Sequence, residues 1–143
     1  MSVESQRAYL SGKMAQLALG IPVAMPNQPF EPPVNAPYAE FHIMGTKPIT
    51  IGGEGKLKAR ERHVGMIQLT VWVPEGKGTK GSAVAGDKFA AKFVHKNGRH
   101  LGGCTYTFKG PEVMTPTTKV GWSCQIVRIP FRRDEIKAVG GAL

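Results

Sequence analysis

The chain has 143 residues, 41% of them hydrophobic, the size of one ordinary domain with enough apolar side chains to fill a core. Two cysteines exclude a disulfide framework, and no apolar run approaches the ~20 residues needed to span a bilayer. The net charge of +9 is uneven: residues 1–55 carry three Lys/Arg against four Asp/Glu, and residues 56–143 carry sixteen against six, which points either to an anionic partner or to a solvated basic surface.

The first segment predicts a helix from about Val3 to Leu19, capped by Ser2 or Ser5, with Leu10, Met14, Leu17 and Ala18 on one face. Arg7, Gly12 and Lys13 interrupt the apolar centre that a signal peptide would need, so a soluble protein folded in a cytoplasm is expected. Gly20 and Pro22 stop the helix. Between Ile21 and Tyr38 lie six of the chain's 11 prolines. Each fixes φ and removes a backbone donor, so neither a helix nor a central strand runs through this block. Its apolar side chains argue against a solvated linker. We expect a rigid extended arm over residues 21–37, with Met25, Pro26, Pro29, Phe30, Pro32 and Pro33 as candidate interface residues.

Pro37 opens a strand from Tyr38 to Met44 whose two faces are both partly apolar, which predicts cover on each side. A short strand at Pro48–Ile51 and a glycine turn at 52–55 precede a long extended run from about Lys56 to Val73. In its first half, Lys56, Lys58, Arg60 and Arg62 recur at every second position and so share one side. This stripe could track phosphates, meet an acidic face on a neighbouring subunit, or stay in water and protect a sheet edge. No aromatic residue is interleaved with it, as a nucleic-acid surface would favour.

A polar loop carrying Lys77 leads into a second helix, from about Ser82 to Lys96, with Val84 or Ala85, Phe89, Ala90 and Phe93 as its buried stripe. Lys77 and Lys80 join the stripe as candidate DNA-facing or inter-subunit residues. Two further strands are expected, about His100 to Phe108 and Val120 to Phe131, and residues 132–143 read as a charged, glycine-rich flexible tail. Strands arriving in adjacent pairs give an α+β class: a mainly antiparallel sheet with both helices packed on it and the arm ahead of it, in a single domain over residues 1–143.

No catalytic constellation emerges. The loop before the second helix lacks the lysine that a P-loop places before its hydroxyl residue, and Ser123 has no nucleophile-elbow pattern around it. His42, His63, His95 and His100 show no metal-ligand spacing, Asp87 reads as a cap or ion-pair residue, and no metal or cofactor is expected. Cys104 and Cys124 read as free thiols, with a bridge possible only if their strands are neighbours.

The order of several segments carries a resemblance. Gly20-Ile-Pro-Val-Ala-Met-Pro-Asn-Gln-Pro-Phe-Glu-Pro-Pro after a helix, Pro37-Tyr38 opening a strand, Gly65-Met-Ile-Gln-Leu-Thr-Val-Trp-Val-Pro, the Ala85-Gly-Asp-Lys-Phe helix and Ile126-Val-Arg-Ile-Pro-Phe run in sequence over residues 3–131. This pattern resembles the tail terminator-like proteins of long-tailed bacteriophages and prophages. The resemblance implies a non-enzymatic virion protein, assembled in the host cytoplasm, that forms a hexameric ring at the end of the tail tube. Its partners would be further copies of itself, the tail tube protein and the head-completion or connector protein, with passing contact to DNA and none to membrane. Two other classes compete: a basic nucleic-acid-binding domain using the stripe with Lys77 and Lys80, and a small hydrolase or transferase, which has no supporting constellation.

Overall fold

The computed structural model describes residues 3–17, 19–26, 28–45, 49–52, 58–76, 80–93, 98–100, 104–114, 117–119 and 121–138. In chain order the elements are α1 (Val3–Ala15), β1 (Val23–Ala24), β2 (Tyr38–Gly45), β3 (Ile49–Gly52), β4 (Lys58–Pro74), α2 (Lys80–Phe93), β5 (Gly98–His100), β6 (Cys104–Phe108), β7 (Glu112–Val113), β8 (Thr117–Lys119) and β9 (Trp122–Ala138). They build one sheet in the order β1-β2-β4-β9-β6-β5, with β3 beside β4, and β7 and β8 beside β9. Only the β1–β2 pairing is parallel. The chain is α+β, as its pattern of paired strands implies.

The backbone of the fold is the β4–β9 ribbon, two strands of 17 residues paired from Lys58↔Ala138 to Pro74↔Trp122. Alternation sends Ile67, Leu69, Val71 and Val73 of β4 and Val127, Ile129 and Phe131 of β9 to one face, where all are buried. Both helices pack on that face. Phe41 of β2 lies against Phe89 and Phe93 of α2, and Tyr9 of α1 stacks at 4.4 Å on Tyr106 of β6. Among the described residues no helix is long and apolar enough to cross a membrane.

Gly65 marks the tightest point in the ribbon. A Cβ there would meet the Met44 carbonyl oxygen and the Phe131 ring, both at 2.6 Å. The glycine therefore lets Phe131 lie across the strand, a close approach that no side chain permits. Gly65→Ala should lower stability by about 1–3 kcal/mol through forced displacement of the ring and carbonyl, read as a lower midpoint in urea unfolding.

Several sequence expectations need correction. The helix predicted to Leu19 ends at Ala15, because Leu17 bonds back to the Met14 carbonyl at 3.0 Å and Leu19 turns into the core. The single strand predicted over 100–108 is a β5–β6 hairpin. Ser82 is buried inside α2 rather than capping it, and Val84 is 42% exposed. Strand β2 is not covered on both sides: Ala39 and Phe41 are buried, whereas His42 and Met44 on the other face are exposed.

The largest correction concerns the expected flexible tail from Arg132. Residues 132–138 continue β9 in the middle of the sheet, with Arg133 2% and Glu135 3% exposed. Two of the charges that suggested a tail, Asp134 and Glu135, meet partners on β4, as described below. Residues 139–143 lie outside the described residues. The cysteines cannot bridge within one chain. β6 pairs near Asp134, and Cys124 sits ten residues away along β9, about 33 Å at ~3.3 Å per residue, against the ~7 Å that a disulfide allows. Cys124 is a buried free thiol.

Candidate assembly surface

The face of the sheet opposite the helices, with its two side edges, carries most of the residues singled out from the sequence. The arm starts as an edge strand: Ala39 donates its N–H to the Pro22 carbonyl at 2.9 Å, and Val23 and Ala24 pair with Ala39 and Glu40. A turn closed by Gln28 N–H on the Met25 carbonyl, with Pro26 inside it, then diverts the chain from the edge. Phe30 returns to lie 5.6 Å from Tyr38, which stacks on Trp72 at 6.4 Å and meets Trp122 edge-on at 5.5 Å. These rings cover one end of the open face. Burial there, with Glu40 nearby, pushes the Tyr38 phenol above its ordinary range.

Met25, Pro26, Phe30 and Pro32 line a cavity of about 330 Å³ together with Tyr38, Glu40, Phe41 and His42. Glu40 is held in place, accepting a hydrogen bond from the Trp72 indole and standing 3.7 Å from His42. Pro29 is exposed and Pro33 half-buried, and neither lines the cavity; Val34 beside them is 94% exposed. So the inner part of the arm packs on its own sheet, and its outer turn presents apolar surface to solvent.

The basic stripe is placed differently from an edge. β4 lies between β3 and β9 at Arg60 and Arg62, so these positions belong to an internal strand rather than to a sheet edge. Lys58, Arg60 and Arg62 alternate along it, while Lys56 and Lys77 fall outside the described residues. Arg62 is committed to Asp134 of β9: Nε donates to Oδ1 at 2.8 Å and Nη2 to Oδ2 at 3.4 Å. That hydrogen bond raises the Arg62 pKa above its ordinary value. Arg132 also approaches Asp134, at 3.8 Å. Lys80 is exposed at the start of α2, beyond the far end of β4, and does not join the stripe.

Further along the same face, Arg128 donates to Gln68 at 2.9 Å and Gln68 to Thr70 at 3.1 Å. At the second edge, Gln125 donates to the Met114 carbonyl at 2.6 Å and Met114 N–H bonds Ile126 O at 3.0 Å, fixing the loop that carries β7. Val113 is 66% and Met114 40% exposed there.

One polar group was missed in the sequence. On the helix-side face, His63 Nε2 lies 3.0 Å from Glu135 and 3.3 Å from Glu61, and these donor atoms all fall within 4.8 Å of one another. Register sets Glu61 opposite Glu135 and His63 opposite Arg133, so His63 meets one carboxylate along its own strand and the other on the diagonal. His63 engages both carboxylates, which makes the group a cross-strand polar clamp. Glu61 and His63 at i, i+2 were a legible signal; their partner lay in the segment read as a tail. On the helix layer, Lys13, Lys88 and Lys92 border a groove between α1 and α2. Lys13 sits over the Tyr9 and Phe93 rings, and Lys92 donates to Gln16, which ties these cations to the helix pair.

A family model described as phage tail terminator protein matches residues 6–131. A solved structure of a protein without a functional name superposes with a TM-score of 0.72 at 21% identity, covering 93% of this chain and 96% of that one. It is among 11 solved chains with significant similarity, and that likeness shows the fold. A search of the curated proteins found no match.

Proposed function

The chain belongs to the phage tail terminator family, and from that premise we propose that it closes into a hexameric ring on the end of the tail tube, stopping tube growth and presenting a joining surface to the head. The family places it as a structural component of the virion tail, in a group not known for catalysis. The observation that carries the finer reading is the match over residues 6–131, which takes in the arm, both helices and most of the sheet. The whole chain acts as one assembly unit, put together in the host cytoplasm, with the tube protein on one side of the ring and the head connector on the other.

The geometry supports contact between unlike surfaces, as a closed ring requires. The outer turn of the arm offers Pro29, Pro33 and Val34, and its prolines restrict the unfolded chain, so less entropy is lost on docking. The competing reading as a nucleic-acid-binding domain is weakened because Asp134 already neutralises Arg62 and Lys80 lies far from the stripe. Removing the gene from the encoding phage or prophage tests the proposal. Electron micrographs should show tails of uncontrolled length and heads without tails, both restored by the gene in trans. Tails of normal length and normally joined heads without the protein would contradict it.

A further inference from the structure

We propose that Glu61, His63 and Glu135 form a binding site for one divalent transition-metal ion, zinc foremost, which staples β4 to β9 at the end of the ribbon. The site belongs to the single subunit and does not depend on ring closure.

The donors meet for reasons that begin in the chain. On a strand, residues i and i+2 share a face, so Glu61 and His63 project together from the helix-side face of β4. Register then sets Glu135 of β9 opposite Glu61, which adds a carboxylate from the next strand. Both strands are internal here: β3 lies beside β4 at Glu61, and β6 lies beside β9 at Asp134. Pairing on both sides fixes the two backbones, so the donors are held in place before any ion arrives.

The spacing is that of a coordination shell. Ligands about 2.0–2.2 Å from a tetrahedral ion stand about 3.3–3.6 Å from one another. The His63 Nε2 lies 3.3 Å from a Glu61 oxygen and 3.0 Å from a Glu135 oxygen, and all three atoms fall within 4.8 Å of each other. One ring nitrogen bears at most one hydrogen, so it donates squarely to only one of the two carboxylates that converge on it. An ion in place of that hydrogen serves all three donors at once.

These are not the exposed acids found on many surfaces. The Glu135 side chain is 3% exposed, and those of Glu61 and His63 are 21% and 18% exposed, which leaves an approach open on one side. Three protein ligands with a fourth position open to water is an established zinc arrangement. Arg133 is buried opposite His63. It offsets one of the two carboxylates, so with a neutral imidazole these four side chains keep one negative charge for the incoming cation. The imidazole selects among metals: it suits zinc, nickel or copper, whereas Mg²⁺ and Ca²⁺ prefer shells of oxygen.

Metal titration of the purified, EDTA-treated full chain tests this. Calorimetry should show one Zn²⁺ taken up per chain, and the thermal midpoint should climb with each rise in free Zn²⁺. Equal Mg²⁺ should leave the midpoint where it was. His63→Gln and Glu61→Gln, at half-buried positions, should lose the Zn²⁺ response, whereas His42→Gln, on the other face of the sheet, should retain it. The wild-type chain gives an answer that needs no variant to fold: Zn²⁺ below one equivalent should move the His63 ring resonances in NMR spectra and leave those of His42 in place. No uptake by the wild-type chain, uptake that survives in His63→Gln, or resonances that move at His42 and not at His63 would each overturn the site.

Discussion

Glu135→Ala should lower the unfolding free energy by about 3–5 kcal/mol, a large part of the ~5–15 kcal/mol that holds a domain of this kind together. The carboxylate is 3% exposed and lies 3.0 Å from His63, which also meets Glu61 at 3.3 Å. Across the ribbon the row reads Glu61 against Glu135 and His63 against Arg133. Removing this acid therefore takes away the hydrogen-bond partner of His63 inside a row that also holds the buried Arg133, and leaves polar groups there without the carboxylate that compensates their desolvation. Glu135→Gln keeps a hydrogen-bonding group of the same shape and should cost less. Guanidinium unfolding with an unchanged slope would show this as a fall in midpoint. A loss under ~1 kcal/mol for the alanine variant would mean that the C-terminal half of β9 is dispensable.

Phe93→Ala should cost a similar ~3–5 kcal/mol, for a different reason. Phe93 is fully buried where three elements meet: its ring centroid lies 5.3 Å from Phe89 on α2, 6.4 Å from Phe41 on β2 and 5.4 Å from Phe108 on β6. Lys13 of α1 sits 5.9 Å above the same ring. Truncation removes the transfer free energy of the ring and leaves a cavity that rigid strands on one side cannot collapse to fill. Phe93→Leu, which retains most of the volume, should recover more than half of the loss. Equal losses for both variants would show that ring packing, rather than volume, holds α2 to the sheet.

These two residues also show what the sequence could and could not reveal. Phe93 was legible: the Ala85, Phe89, Phe93 spacing fits a helical face, and that face is buried. The β4 alternation from Ile67 to Val73 was equally plain, because one face meets core and the other meets polar neighbours. Glu135 was hidden. A run of Arg132, Arg133, Asp134, Glu135 and Lys137 reads as a solvated tail when its partners are unknown. Only pairing with Arg62, His63 and Glu61, seventy residues earlier in the chain, makes it a central strand. Long-range pairing overrides local composition here, as it does for β2, whose apolar outer residues suggested a second covering layer.

The arm was recognised by its prolines, since fixed φ and missing donors act locally. Its course was not. That it pairs in parallel at Val23 and Ala24, then curls so that Phe30 meets Tyr38, depends on an aromatic cluster assembled from β2, β4 and β9. The basic stripe shows the reverse error. Its period placed the charges on one face, and the sheet order then put that face on an internal strand, where Asp134 takes up Arg62.

The most direct test of the account is the stoichiometry and position of this chain on finished tails. Cryo-electron microscopy of purified tails should show a sixfold ring of this fold confined to the head-proximal end of the tube. Copies distributed along the tube, or a tube end that lacks this fold, would contradict the account.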